Sequence, residues 1–302
     1  MAAPCVIALG FFDGVHIGHG ALLRRTAERA RQLGAEPAVV TFDRPPKEVV
    51  TGVSVALINS PQERQELIRR LYGIQRVIFA PFDQKMMTMP WEEFITEILI
   101  KQYGAVHVVA GHDYHFGHKN QGDPEKLQRK CAELGLGCDI IPKVELHGTT
   151  VSSTLIRALI EQGEVAQAAA YLGHPHTMRQ QVQHGKRLGR TIGIPTINLS
   201  LPDRVLIPKR GVYISRVCLK DGRSYPGVTN VGVRPTVSRS GIVSVETFLL
   251  GFDGDLYGQT VRLEFFRRLR EERYFSSLEE LKEQIQRDVA ASYAYFRENG
   301  IS

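Results

Sequence analysis

CVIALGFFDGVHIGHGALL, residues Cys5 to Leu23, is the stretch on which the fold turns. An apolar run, Cys5 to Leu9, meets a glycine-punctuated turn, Gly10 to His19, which delivers the chain into a helix-like segment. A helix N-terminus attracts anions, because its first N–H groups lack intrahelical partners and the helix dipole is positive there. Gly10, Phe12, Asp13 and Gly18 are the turn's candidate phosphate-binding residues, and His16 and His19, three apart, place two imidazoles on one side of it. Imidazole N–H donors can follow charge as it develops on a triphosphate attacked at its α-phosphorus. Two loop histidines of no consequence is the alternative; their position between a strand and a helix favours the phosphate site.

Outward from this turn the first half alternates β-like and helical patterns: CVIAL, a helix from Ala21 to Leu33, PAVVTF, a helix from Pro61, RVIFA, a helix from Pro90, and AVHVVA. That alternation predicts a parallel sheet wrapped by helices. Ser60, Pro61 and Glu63 spell an N-cap, a first-turn proline and a capping box. Trp91, Phe94, Ile95, Ile98 and Leu99 recur at helical spacing, and Asp123-Pro124 opens a further helix toward Leu134. Ligands of open sheets gather at the carboxyl ends of strands, which is where the histidine turn falls.

After about residue 175 the texture changes to short β-rich runs separated by Gly and Pro: IGIPTINLS, GVYISRVCL, SYPGVTNVG, IVSVETFLLGF and QTVRLEFF. This spacing predicts an antiparallel barrel. Ser277 and Glu280 cap a last helix whose Leu281, Ile285, Val289, Tyr293 and Phe296 are expected on the barrel's outside. The His174-Pro175 step breaks the preceding helix, so the domains are drawn at 1–175 and 176–302.

The 302 residues leave room for two cores, and 43% hydrophobic with 23% charged residues is the balance of a soluble globular protein. The apolar opening is too short for a secretory signal and no run approaches a spanning helix, so a cytoplasmic location without membrane is expected. Cys5, Cys131, Cys138 and Cys218 lack disulfide-framework or zinc-finger spacing and read as reduced packing residues. The net charge of +6 is spread along the chain, densest at Arg267, Arg268 and Arg270 beside Glu271 and Glu272. Anionic small substrates explain that excess, and no nucleic-acid partner is expected.

Four further stretches carry chemistry. VSSTLIR, Val151 to Arg157, starts a helix to about Gln162; its exposed N–H groups, the hydroxyls of Ser152, Ser153 and Thr154, and Arg157 form a second anion cradle. GHDYHFGHKNQGD, 111 to 123, is a polar loop after a strand, where Asp113, Asn120 and Asp123 are placed to orient a second substrate. Its His112, His115 and His118 do not form a metal set, since a loop does not stack them. In HGKRLGRTIGIPTIN, Gly185, Gly189 and Gly193 with Lys186, Arg187 and Arg190 make a flexible basic flap able to bring backbone N–H groups close to ATP phosphates. Thr196 and Asn198, two apart on a strand, offer two neutral oxygens to Mg²⁺, which keeps most of its shell as water and phosphate. Glu246 shares a strand face with Phe248 and is the candidate base for an alcohol.

These blocks, with TFDRPP, PKRGVY, GVTNVGVRPT and DLYGQTVRLEFFRRLREERYF, resemble the bacterial bifunctional riboflavin kinase/FAD synthetase family over essentially the whole chain. The resemblance implies a Rossmann-like nucleotidyltransferase domain that adenylylates FMN, followed by a six-stranded barrel with a terminal helix that phosphorylates riboflavin. ATP, riboflavin, FMN and FAD would be its substrates and products, with Mg²⁺ needed for both steps. It implies that His16 and His19 stabilise phosphates in adenylyl transfer, that Ser152, Ser153 and Arg157 bind them, and that Asp113 lies by the flavin or adenine. It further implies that Thr196 and Asn198 bind Mg²⁺ and ATP, that Glu246 activates the riboflavin 5′-hydroxyl, and that Asn230 and Arg234 shape the kinase pocket. Arg44-Pro45 stands where the family usually carries Pro-His, and Gln180 where a glycine commonly opens the flap. A class I aminoacyl-tRNA synthetase fragment also uses an H-x-G-H turn but predicts a Lys-rich loop and a tRNA-binding domain. A flavin-binding regulator would need no base.

Overall fold

The computed structural model describes residues 3–184, 193–201, 204–234 and 242–301, the side chains of Arg234 and Ile242 excepted. The chain divides into two compact units, Met1–Ser153 and Thr154–Ser302.

In the first unit the order is β1 (Cys5–Leu9), α1 (Ile17–Leu33), β2 (Glu36–Phe42), α2 (Pro46–Thr51), α3 (Pro61–Tyr72), β3 (Arg76–Ala80), α4 (Gln84–Thr88), α5 (Trp91–Glu93, continued by a π-helical stretch Phe94–Gln102), β4 (Ala105–Gly111), α6 (Pro124–Glu133), β5 (Gly137–Ile141) and a small hairpin, β6 (Glu145–Leu146) with β7 (Thr149–Thr150). Five parallel strands form a sheet in the order β3-β2-β1-β4-β5. β1 is buried at all five positions because both faces are covered. Cys5, Ile7 and Leu9 join Phe94, Leu99 and Leu127 in one layer, while Val6 and Ala8 pack with Leu23 and Ile68 in the other.

Two helix signals are realised in full. At α3 the Ser60 hydroxyl accepts from Glu63 N–H at 3.2 Å while Glu63 accepts from Ser60 N–H at 3.1 Å. Asp123 caps α6 by accepting from Lys126 N–H at 2.8 Å. Removing the first cap with Ser60→Ala is expected to cost about 1 kcal/mol, read as a lower urea midpoint. The stripe after Pro90 differs from expectation: it is wound partly with i→i+5 bonds, Tyr103 N–H donating to Ile98 carbonyl at 3.0 Å. Phe94, Ile95 and Leu99 still fill the core, with Trp91 and Ile98 at its margin.

The second unit holds α7 (Ser153–Gln162, from its second residue), α8 (Val165–Leu172), β8 (His176–Gln183), β9 (Thr196–Leu199), β10 (Gly211–Cys218), β11 (Ser224–Arg234), β12 (Ile242–Leu249), β13 (Thr260–Arg270) and α9 (Leu278–Glu298). Its six antiparallel strands close a barrel in the order β10-β11-β12-β9-β8-β13. Packing thus divides the chain ahead of the His174-Pro175 step, because α8 inserts Val165 into the barrel core beside Tyr213, Leu263 and Phe265. Inside that core Thr229 bridges Ser215 at 2.7 Å and Thr247 at 2.8 Å, so three buried hydroxyls satisfy one another.

His176 is fully buried, with Nε2 3.1 Å from the Leu206 carbonyl. Burial pushes its pKa down to about 4, with the Leu206 carbonyl bond opposing the drop and His174 adding to it. An unfolded histidine takes its proton near pH 6.5 and this one only near 4, so acidification favours the unfolded chain between those values. The shift corresponds to roughly 3 kcal/mol lost across that window at ~1.4 kcal/mol per unit. Urea unfolding at pH 7 and pH 4.5 is expected to show the loss, and His176→Gln to flatten it.

α9 keeps most of the expected stripe and rolls it: Phe296 is buried, Leu281, Ile285 and Val289 are half-buried, and only Tyr293 is exposed, at 51%, while Gln284, Asp288 and Ser292 join the buried row. The helix is rolled toward polar partners: Asp288 accepts from Arg270 at 2.8 Å, Gln284 from Arg273 at 2.7 Å, and Ser292 donates to Gly227 carbonyl at 3.3 Å.

Candidate functional sites

In the first sheet the chain winds outward from β1 to β3, then returns to place β4 on the other side of β1. The switch point between β1 and β4 is where such sheets open a ligand crevice, and the Gly10–His19 turn and the 111–123 loop both leave the sheet there. His16 is the N-cap of α1, its Nδ1 accepting from His19 N–H at 3.1 Å, so a neutral His16 carries its proton on Nε2. The two imidazoles stack at 3.5 Å and 12°, and the Phe12 ring meets His19 edge-on at 5.2 Å. Phe12 and Val15 hold positive φ, 56° and 44°, and both are buried, so packing maintains a turn that side chains ordinarily avoid. Gly18 has a different reason: a Cβ there would lie 3.1 Å from the His16 ring. Asp13 accepts from Ile58 N–H at 2.9 Å and Asn59 N–H at 3.4 Å, fixing the turn to the segment before α3.

Burial, then the neighbouring His16 and Arg64, hold the His19 pKa well below the ordinary histidine value. His19 is therefore a neutral ring at physiological pH, and its buried Nδ1 has no hydrogen-bond partner among the described residues. Ser153 donates its hydroxyl to the Asp13 carbonyl at 2.9 Å, so this proposed anion ligand also braces the turn. Thr154 and Arg157 lie beyond it on α7, in the second unit.

Of the loop residues, Asp113 has an 82% exposed side chain and Asp123 spends one carboxylate oxygen on the α6 cap. Asn120, at φ 57°, lines a small cleft of about 70 Å³ with Phe42, Phe82, Met86, Tyr114 and Phe116. His112, His115 and His118 do not form a metal cluster; no such group occurs among the described residues. Sequence reading missed the aromatic cleft, and it missed Arg64. That side chain is fully buried on α3, its Nη1 donating to Phe11 carbonyl at 2.9 Å, Thr41 hydroxyl at 3.1 Å and Phe42 carbonyl at 3.2 Å. Burial lowers its pKa to about 10, which leaves it charged. In PQERQEL it reads as one more exposed helix charge, and no local signal separates it.

In the barrel, strand register assembles the second site. Glu246 on β12 stands opposite Asn198 on β9 and Asn230 on β11, so all three lie in one cross-strand row. Val245, Leu249, Leu199 and Val231 point into the barrel, so by alternation the row faces outward. There Glu246, Asn230, Thr196 and Phe248 line a cavity of about 350 Å³ completed by Arg270, Phe275 and Asp288. A second cavity of about 310 Å³, lined by Phe252, Asp253, Asp255 and Tyr257, also reaches Thr196. Asn230 donates to Glu272 at 3.1 Å. Gly193 adopts φ 77°; Gly185, Lys186, Gly189 and Arg190 lie outside the described residues, as does the Arg234 side chain.

The wall between this cavity and α9 rests on an ion pair that sequence reading also missed. Arg270 grips buried Asp288 through Nε at 3.1 and 3.2 Å and Nη2 at 2.8 Å. Asp288→Ala would strand the arginine and is expected to cost on the order of 2–4 kcal/mol, below the full buried-pair range because Arg270 retains 20% exposure. A calorimetric scan showing no loss would contradict that role. The basic cluster resolves the same way: Arg267 lies over the Tyr295 ring at 4.9 Å and Arg268 donates to Arg210 carbonyl at 2.6 Å.

Residues 1–155 match the family model for FAD synthetase and residues 172–296 that for riboflavin kinase. A bifunctional riboflavin kinase/FMN adenylyltransferase of Pseudomonas fluorescens is 40% identical over 96% of this chain and 92% of its own length. The proteins of that name in Haemophilus influenzae and Escherichia coli are each 34% identical over 97% of this chain and 94% and 93% of theirs. A crystal structure described as a macrolide-efflux protein from Streptococcus pneumoniae superposes with a TM-score of 0.87 at 32% identity, covering 97% of this chain and 95% of that one. In this chain no described helix is long and apolar enough to cross a membrane. With family models that cover both units and relatives of 34–40% identity over nearly the full length of both chains, the chain belongs to the bifunctional riboflavin kinase/FMN adenylyltransferase family.

Proposed function

We propose that the protein makes FMN and FAD at two separate sites, with the adenylyltransferase in residues 1–175 and the kinase in residues 176–302. The observation that carries the kinase reading is Thr196 standing where two cavities meet, one of them bearing Glu246. Phosphoryl transfer needs donor and acceptor to converge, and little covalent chemistry beyond that. Glu246 takes the proton of the riboflavin 5′-hydroxyl as its oxygen attacks the γ-phosphorus of ATP, and ADP leaves. Thr196 and Asn198 would supply neutral oxygens to Mg²⁺, which draws its other ligands from phosphate and water. When bound, Mg²⁺ neutralises charge on the phosphates.

At the histidine turn, an FMN phosphate oxygen attacks the α-phosphorus of ATP and pyrophosphate leaves. His16 and His19 donate to the oxygens that gain charge, and the α1 N-terminus adds its dipole. The cleft of Phe42, Phe82, Tyr114 and Phe116 offers aromatic faces to the flavin ring. Its 70 Å³ is well under the roughly 300 Å³ of a ligand pocket, so Met86 or Phe82 must move to admit it.

Chromatography of riboflavin, ATP and Mg²⁺ incubated with the protein is expected to show FMN and then FAD. Chelation of the metal should stop both, and undiminished turnover in excess chelator would remove the Mg²⁺ assignment.

A further inference from the structure

We infer that Arg64 is a positioning residue of adenylyl transfer, fastening the phosphate turn to the C-terminal end of the sheet. The inference rests on the reading of the His16/His19 turn given above. Three observations support it. The guanidinium on α3 reaches the Phe11 carbonyl, which begins the turn after β1, and the Phe42 carbonyl, which ends β2, at 2.9 and 3.2 Å. Thr41 completes the clasp: its hydroxyl accepts from Arg64 at 3.1 Å and donates to the same Phe11 carbonyl at 2.9 Å. The plane of the guanidinium covers the Phe11 ring, its carbon 4.2 Å from the centroid.

A fully buried arginine is a costly way to hold two carbonyls, and a neutral donor would serve if only the fold were at stake. Arg64 Nε and Nη2 have no hydrogen-bond partner among the described residues, and the charge of Asp13 in the turn opposes the effect of burial, so the buried guanidinium stays charged. That charge stands close enough to act on His19. Arg64 thereby sets both the height of the turn above the sheet and the field in which the histidines work, without itself touching substrate. All three bonds come from the one nitrogen Nη1, which the rigid guanidinium holds in place while its plane stacks on Phe11; a lysine would keep the charge but neither the plane over the ring nor the fixed direction of its donors.

The test is steady-state FAD formation from FMN and ATP by Arg64→Lys, Thr41→Val and His19→Ala, each shown folded by its urea transition, with riboflavin phosphorylation as the internal control. Misplacing a catalytic turn lowers kcat more than affinity, so Arg64→Lys is expected to lose about 10- to 100-fold in kcat with KM for ATP little changed. Thr41→Val, close in size but without the hydroxyl, should lose several-fold in the same parameter. A residue that merely holds the fold would leave kcat per folded molecule intact in both. Full kcat in Arg64→Lys and Thr41→Val beside an inactive His19→Ala overturns the inference; an active His19→Ala overturns instead the reading of the turn. If Arg64→Lys does not fold, Thr41→Val decides alone.

Discussion

Glu246→Gln is expected to cut conversion of riboflavin to FMN by two to four orders of magnitude, about 10²- to 10⁴-fold, while adenylylation of supplied FMN keeps its full rate. Gln keeps the size of the side chain and its place between Asn198 and Asn230, so the cavity wall is unaltered. What it cannot do is accept the proton of the 5′-hydroxyl, and a general base contributes about 10²- to 10⁴-fold. The deficit is expected in kcat, with KM for riboflavin little changed. Phosphorylation within a few-fold of the parent rate would show that the carboxylate is only part of the wall.

His19→Ala gives the mirror result: FAD formation from FMN falls by about 10²- to 10³-fold, the scale of losing one preorganised donor to a charge-developing oxygen. Riboflavin phosphorylation continues. The ring is held in a stack with His16 and against Phe12, so its loss also frees His16 to turn, and the effect lies at the upper end. The depressed His19 pKa carries a pH consequence. The folded enzyme keeps His19 neutral down to well below the ordinary histidine value, so this ring does not set the acidic limb near pH 6.5.

Much of this was readable in the chain because its signals are local. An apolar five-residue run followed by a Gly-punctuated turn marks β1 and the entry to α1, and Ser60, Glu63 and Asp123 mark their helices by cap chemistry that needs no distant partner. β5 and β8 escaped detection for the opposite reason. GCDII is a half-exposed edge strand opening on a glycine, and HTMRQQVQ sends only Met178 and Val182 into the barrel core between polar neighbours. Asn198, Glu246 and Asn230 were each singled out in the chain, but their row was not legible: they come together through antiparallel register across three strands, which spacing along one strand does not encode. The polar seam under α9 displaced only Tyr293 from the expected stripe, because the row beside it carries the buried Arg270–Asp288 pair, whose partner lies on a distant strand. Arg64 was hidden for a related reason. Its burial follows from where α3 lies on the sheet, and its own neighbours in sequence are ordinary surface charges.

The central claim is that two independent sites in one chain run consecutive reactions, the first product being the second substrate. Mixing Glu246→Gln with His19→Ala, each unable alone to take riboflavin to FAD, tests it most directly. The mixture, given riboflavin, ATP and Mg²⁺, is expected to accumulate FAD, with FMN released by one variant and adenylylated by the other. A mixture that yields no FAD, although each variant retains its single activity, would contradict two separately working sites.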